Sequence, residues 1–377
     1  MEDISNLDIE TILDSLSDGV YVCDLDRRIT HWSRSAERIT GWRRDDVVGR
    51  QCSDNVLCHV DKDGHQLCGE EYCPLHRAMI TDSESGGALL VYAQGKDGRR
   101  IPMQVAVAPI RNDAGQVIGG VETFRDASTM AQDLERAKAI QELALQHDVP
   151  QDPRVAFTTH YVPHEIVGGD YYAIAKLGDD QYGLMLADVM GHGIAAALYT
   201  MHLSQLWERF HGLLANPAEF AATVNNKLVK VVKTDGSFAT AVCGVVDLRD
   251  RIFRFAGAGG PQVLLMHSDG THECLESPGL PLAIMDDAAY EEVCIELREG
   301  DGLLLFSDGA VEIHNAEDEM LDIDGLVRIL RAQGYPQAGI QMDALEEELL
   351  KYSNAIRLTD DLTFIDVRLG SQTREIR

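Results

Sequence analysis

Four carboxylate positions recur beside turns at the ends of apolar runs: Asp170 after "VGG", Asp188 in "ADVMGHG", Asp308 in "LLLFSDGA", and Asp360 with Asp361 in "LTDDLTF". A single "DG" is most simply a turn. Four such positions, each next to an apolar strand, read instead as carboxylates projecting from one end of a sheet assembly. Burying unpaired charge there is costly, so something positive must meet them. Hard oxygen ligands without a cysteine or a paired histidine favour Mg2+ or Mn2+ over zinc.

A second group of reactive side chains lies in "QCSDNVLCHVDKDGHQLCGEEYCPLHRAM", where Cys52, Cys58, Cys68 and Cys73 stand with His59, His65 and His76. Four thiolates could hold zinc or an iron–sulfur cluster in the N-terminal part of the chain. The intervals of five, nine and four residues form no Cys-x-x-Cys knuckle, so a reduced set of half-buried thiols is the other reading. The other four of the eight cysteines, Cys23, Cys243, Cys274 and Cys294, are scattered in apolar surroundings. That distribution argues against a disulfide framework.

The elements that must position these residues fall into three stretches of a 377-residue chain, long enough for two or three domains with real cores. In residues 1–125, "GVYVCDLDRRITHW" reads as a hairpin, "SAERITGWRRDDVVGR" has helical spacing of Ala36, Ile39 and Trp42, and "GKDG" and "NDAG" separate three further strands. This is a small α+β unit with an antiparallel sheet. In residues 126–150, "DASTMAQDLERAKAIQELALQHD" lacks glycine and proline and places Leu134, Ala137, Ile140 and Ala144 near one face. It is expected to be a linker helix, packed on its own domain or pairing in a homodimer. In residues 151–377, strand pairs around "GDD", "LRD" and "SDG", with helices at "IAAALYTMHLSQLWERFHGLL" and "PAEFAATVNNKLVKVV", predict an α–β sandwich of two sheets flanked by helices.

A net charge of −29 excludes nucleic acid and anionic membrane surfaces as main partners, because both need a basic face. The N-terminus "MEDISNLDIETILDSL" has no signal-peptide character, and no stretch approaches the roughly 20 apolar residues of a membrane helix. A cytoplasmic location is expected.

The stretch "ILDSLSDGVYVCDLDRRITHWSRSAERITGWRRDDVVGR", closing at "RDAS", resembles a PAS sensor domain. From about Ala144 onward, "VGGDYY", "ADVMGHGIAAAL", "FATAVCGVVD", "GLPLAI", "REGDGLLLFSDGAVEI" and "TDDLTFIDVRL" resemble, in order and spacing, the bacterial PPM-type serine/threonine phosphatases of the stage II sporulation E and sigma-regulation kind. The resemblance implies that Asp188 bridges two Mn2+ or Mg2+ ions, that Asp170 and Asp308 each complete one side, and that the Val189 carbonyl supplies a backbone oxygen. Asp360 is the ligand of the final pair, with Asp361 in reserve. Two ions about 3.5–4 Å apart share a water, lower its pKa and aim it in line at a phosphoryl group, so no side-chain nucleophile is required. Gly168 and Gly169 allow close backbone approach, Gly191 and Gly193 a tight turn, and His192 is either a proton donor or a turn residue. Met190 and Gly260 depart from the family pattern, the latter standing where many relatives have a histidine. The implied substrate is a phosphorylated anti-sigma-factor antagonist. Two other readings are weaker: an inactive phosphatase fold that only binds a partner, against which the intact aspartates argue, and a diguanylate cyclase, which "GGDYY" does not supply.

Overall fold

The computed structural model describes residues 8–370 apart from 55, 70, 71, 84–88, 146–148, 192, 233–235, 261, 262 and 356. It divides into two compact units, Met1–Asp133 and Leu134–Arg377.

The first unit comprises α1 (Ile9–Ser15), β1 (Gly19–Asp24), β2 (Ile29–Trp32), α2 (Arg34–Thr40), α3 (Arg44–Val47), α4 (Pro74–Thr81), β3 (Leu89–Gln94), β4 (Arg100–Arg111) and β5 (Val117–Asp126). The strands form one antiparallel sheet in the order β2-β1-β5-β4-β3. Alternation makes the sheet one-sided: along β4, Met103, Val105 and Val107 are buried while the intervening residues are partly exposed. The short helices close over that apolar face. Local signals set their ends, since Ser33 caps α2 through the Ala36 N–H at 3.2 Å and Gly41 terminates it in the left-handed conformation.

Helix α5 (Ser128–Leu145) follows. Its buried residues are Ala131, Leu134, Gln141 and Leu145, whereas Ile140 is 51% exposed. The packed face is therefore rotated from the one that apolar spacing suggests, because Gln141 has hydrogen-bond partners inside the second unit.

That unit comprises β6 (Val155–Val162), β7 (Asp170–Lys176), β8 (Gln181–Val189), α6 (Ile194–Phe210), α7 (Pro217–Val232), β9 (Ala239–Asp247), β10 (Ile252–Ala258), β11 (Val263–Met266), β12 (His272–Leu275), β13 (Val293–Glu296), β14 (Gly302–Phe306), α8 (Asp322–Ala332), α9 (Met342–Ser353) and β15 (Leu362–Leu369). Two five-stranded sheets run β13-β10-β9-β8-β7 and β12-β11-β14-β15-β6. Leu184, Leu186 and Val246 of the first meet Leu305, Ile365 and Val367 of the second in a dry core between the sheets. Trp207 and Phe220 of the α6–α7 segment cover the outer face of one sheet, and Leu326, Leu330 and Leu349 of α8 and α9 that of the other. Strands covered on both faces are apolar throughout, as in β14, "GLLLF", which is buried at every position. The hairpins turn at the expected "GDD", "LRD" and "SDG", while α8 and α9 add a helical layer that the strand pattern did not announce.

Candidate active site

Strand pairing decides which carboxylates meet. Asp170 opens β7 and Asp188 lies near the end of β8, and the antiparallel register sets them directly opposite one another. Asp308 follows β14, while Asp360 and Asp361 precede its antiparallel neighbour β15, so these three share one sheet end. The two sheet ends are joined by hydrogen bonds. Thr363 Oγ1 donates to Asp170 Oδ2. Asp361 Oδ2 accepts from the Gly169 N–H at 2.5 Å and from the Asp170 N–H at 3.4 Å, and its Oδ1 accepts from the His164 N–H at 2.7 Å.

The final pair of aspartates is thereby separated into two environments. Asp361 is buried, with both oxygens committed to backbone donors. Asp360 is exposed, and its Oδ1 accepts from the next N–H, at 2.8 Å. Asp170 is buried, and Asp188 and Asp308 are half-buried. The structure adds one residue that sequence reasoning missed, Glu312. Its N–H donates to the Asp308 carbonyl at 2.8 Å, one turn on, and its charge acts on both Asp188 and Asp308. The four-residue spacing in "SDGAVE" was the available signal.

The electrostatics are one-signed. Burial first, then the charges of Asp308, Asp360 and Asp361, push Asp188 up to about 7. Burial, Asp360 and Glu312 push Asp308 up to about 6. Asp170 is raised well above the carboxylate range by burial and by Asp188 and Asp361, despite hydrogen bonds from Thr363 and Ser307. Asp361 is raised by burial, against the backbone donors that favour its charged form. Among the described residues none of these carboxylates is ion-paired with Lys, Arg or His. Like-signed groups crowded in this way are the donor set of a cation site. No three of them bring oxygens within 4.8 Å of one another, so they do not form a ready cage for a single small ion.

The backbone around the cluster is tightly built. A Cβ at Gly169 would lie 2.8 Å from the Val189 carbonyl, and one at Gly168 would collide with the Tyr161 hydroxyl and the Asp361 carboxylate. Gln141 of α5 holds the same loop from behind, donating to the Gly168 carbonyl at 2.7 Å and to Thr200 Oγ1 at 2.9 Å, and accepting from the Gly168 N–H at 3.2 Å. His192 lies outside the described residues.

The sequence-predicted thiols sit elsewhere, in the first unit. Cys52 and Cys73 are buried and Cys58 and Cys68 half-buried. The Cys68 sulfur accepts the His59 N–H at 3.1 Å. No three of the four sulfurs approach within 4.8 Å. Burial pushes Cys68 up to about 12 and raises Cys52 and Cys73, so these three favour the protonated thiol. They surround a buried polar group: Glu122 accepts from the Tyr21 hydroxyl at 3.1 Å and lies 3.5 Å from His59 Nε2. Asp61, Asp63 and His65 do bring ligand atoms within 4.8 Å. Asp61 is already satisfied by the Asp63 and His65 N–H groups, both at 2.9 Å.

The fold of the second unit is that of PP2C-type phosphatase domains. It is similar to the SiaA-PP2C domain of Pseudomonas aeruginosa, with TM-score 0.57 and 20% identity over 64% of this chain and 98% of that one. It is also similar to the phosphatase domain with a regulatory fragment of SpoIIE from Bacillus subtilis, with TM-score 0.50 and 17% identity over 76% of this chain and 80% of that one. The family model described as stage II sporulation protein E (SpoIIE) matches residues 178–370, and that of the PAS fold matches residues 7–127. The chain belongs to the SpoIIE family and carries a PAS domain ahead of the SpoIIE region. It is 27% identical over 183 residues to the phosphoserine phosphatase RsbP of Bacillus subtilis, spanning 48% of this chain and 45% of that protein. To the phosphoserine phosphatase RsbU of the same organism it is 27% identical over 237 residues, 63% of this chain and 70% of that protein. Among the described residues no helix is long and apolar enough to cross a membrane.

Proposed function

We propose that this protein is a phosphoserine/phosphothreonine protein phosphatase, dependent on Mn2+ or Mg2+ and regulated by its PAS domain. The observation that carries this reading is the placement of Asp170, Asp188, Asp308 and Asp360 at two joined sheet ends, with no Lys, Arg or His paired to them among the described residues. Asp170, Asp188, Asp308, Asp360 and the Val189 carbonyl would hold the ions, with Asp188 as the shared ligand because it faces Asp170 across the β7–β8 pair and feels the charges of Asp308 and Asp360. The chemistry such a site would supply is charge neutralisation of the carboxylates and the phosphoryl group together with a water of lowered pKa. Asp361 is a positioning residue, since it fixes the start of β7 through backbone N–H groups. Thr363 and Ser307 orient Asp170, and Gln141 braces the loop that leads into it.

The names of RsbP and RsbU support phosphoserine as the substrate group, and the family resemblance supports a phosphorylated anti-sigma-factor antagonist as its carrier. A cytoplasmic homodimer is part of the same reading. The test is hydrolysis of p-nitrophenyl phosphate and of a phosphoserine protein by the full chain with and without added Mn2+. Metal-dependent turnover that disappears in Asp188→Asn supports the proposal. A correctly folded wild-type chain that binds the phosphoprotein without hydrolysing it at any Mn2+ concentration would leave the partner-binding reading in its place.

A further inference from the structure

A cavity of about 520 Å3 opens from Asp188 and Asp308 and continues away from them between the β14 end and the start of α8. Its walls are apolar: Phe306, Val311, Met320 and Ile323 line it, and Met320 is 47% exposed. Its rim is acidic. Glu312, Asp322 and Asp324 are all exposed, and among the described residues no Lys or Arg lines the cavity. The floor at Gly260 has no room for a side chain, because a Cβ there would lie 2.6 Å from the Ala241 nitrogen.

We propose that this groove seats the segment of the substrate protein flanking the phosphorylated residue, and that it selects an apolar residue beside a lysine or arginine. The inference rests on the phosphatase reading and deepens it. Continuity with Asp188 and Asp308 fixes one end of the occupant at the phosphorylated side chain. Apolar walls reward burial of an aliphatic side chain next to it. An unneutralised acidic rim attracts a basic neighbour and repels an acidic one, which gives specificity more than raw affinity.

The experiment compares two phosphoserine peptides on the full chain, one flanked by Leu-Arg and one by Glu-Glu, with p-nitrophenyl phosphate as a substrate too small to reach the rim. Wild type is expected to prefer the Leu-Arg peptide by about tenfold in kcat/KM, chiefly through KM. Asp324→Asn should reduce that preference, and Asp324→Lys should abolish or invert it, both with p-nitrophenyl phosphate turnover unchanged. Equal kcat/KM for the two peptides, or a preference untouched by Asp324→Lys, overturns the proposal. Should p-nitrophenyl phosphate not be turned over at all, the phosphatase reading fails separately. Fluorescence anisotropy of the labelled peptides then decides the groove, with a Leu-Arg preference lost in Asp324→Lys supporting it and equal binding refuting it.

Discussion

In the PAS domain Glu122, His59 and Tyr21 are buried together among thiols, while in the phosphatase domain Asp170 and Asp361 are buried beside the half-buried Asp188 and Asp308. Burial raises carboxyl pKa values in both places. In the PAS core the groups can each become neutral: burial holds Glu122 at about 8 and His59 at about 4, so near pH 7 one is a protonated acid and the other a neutral imidazole. The cluster needs no counter-ion. In the phosphatase domain the groups repel one another as well, and Asp360 and Glu312 at the exposed edge add charge. Neutralising that many carboxyls by protonation would need acid pH, whereas a cation achieves it at neutral pH. A mixed buried cluster thus stabilises itself, and a one-signed cluster at an open groove recruits a ligand.

The comparison is broken most severely at its centre. Asp188→Asn is expected to lower turnover by about a thousandfold, corresponding to roughly 4 kcal/mol of transition-state stabilisation. Cys68→Ser with Cys73→Ser is expected to leave unstimulated turnover unchanged. Retention of most activity by Asp188→Asn at saturating Mn2+ would refute the bridging role.

The two adjacent aspartates offer a sharper contrast. Asp361→Asn removes an acceptor from buried N–H groups, and about 1–3 kcal/mol of stability should go with it. Asp360→Asn should leave the melting temperature in place and raise the Mn2+ concentration needed for half-maximal turnover. The assignment fails if the two variants exchange these phenotypes.

Protonation gives a third test. Asp188 and Asp308 bind protons more tightly in the folded state than the ordinary carboxylate value of 3.8, so the metal-free fold loses stability as pH rises from about 4 to about 7. A bound cation offsets that loss. The Mn2+-induced rise in melting temperature should be about 5 °C larger at pH 8 than at pH 5. The same rise at both pH values would count against the carboxylates as ligands.

The smallest effect lies in the PAS core. Glu122 is raised from 4.5 to about 8, so its contribution is lost as pH rises through that window. His59 is lowered from 6.5 to about 4, so its contribution is lost as pH falls through the lower window. Between pH 6.5 and 8 only Glu122 of this pair acts. Hydrogen exchange of β1 and β5 amides should report a loss of about 1–2 kcal/mol over that range. Glu122→Gln should flatten it, and an unchanged slope in that variant would show that Glu122 is not the source.

Local composition and periodicity made much of the molecule legible. The turns "GKDG", "NDAG", "GDD" and "LRD", the cap at Ser33 and the uniformly apolar strands are short-range facts, because turn chemistry and two-sided burial act within a few residues. The same holds for the aspartates at the ends of β7, β8, β14 and β15, whose positions beside turns and apolar runs are visible in the sequence. The amphipathic spacing of Leu326, Val327 and Leu330 was equally local, so α8 was readable and was passed over.

Tertiary structure alone decided what these residues touch. Asp360 and Asp361 are chemically identical neighbours, and only the approach of Gly169 and His164, 192 and 197 residues away, commits one of them to the backbone. Periodicity set Ile140 on the packed face of α5, but Gln141 occupies it because Gly168 arrives there from the loop before β7 and Thr200 from α6. Cysteines dense in sequence were candidates for one metal site, yet no three of their sulfurs lie within 4.8 Å of one another. Sequence fixes which groups can ionise, ligate or pair, because those are properties of side chains. Which of them become neighbours depends on contacts between strands distant in the chain, and no local pattern encodes that distance.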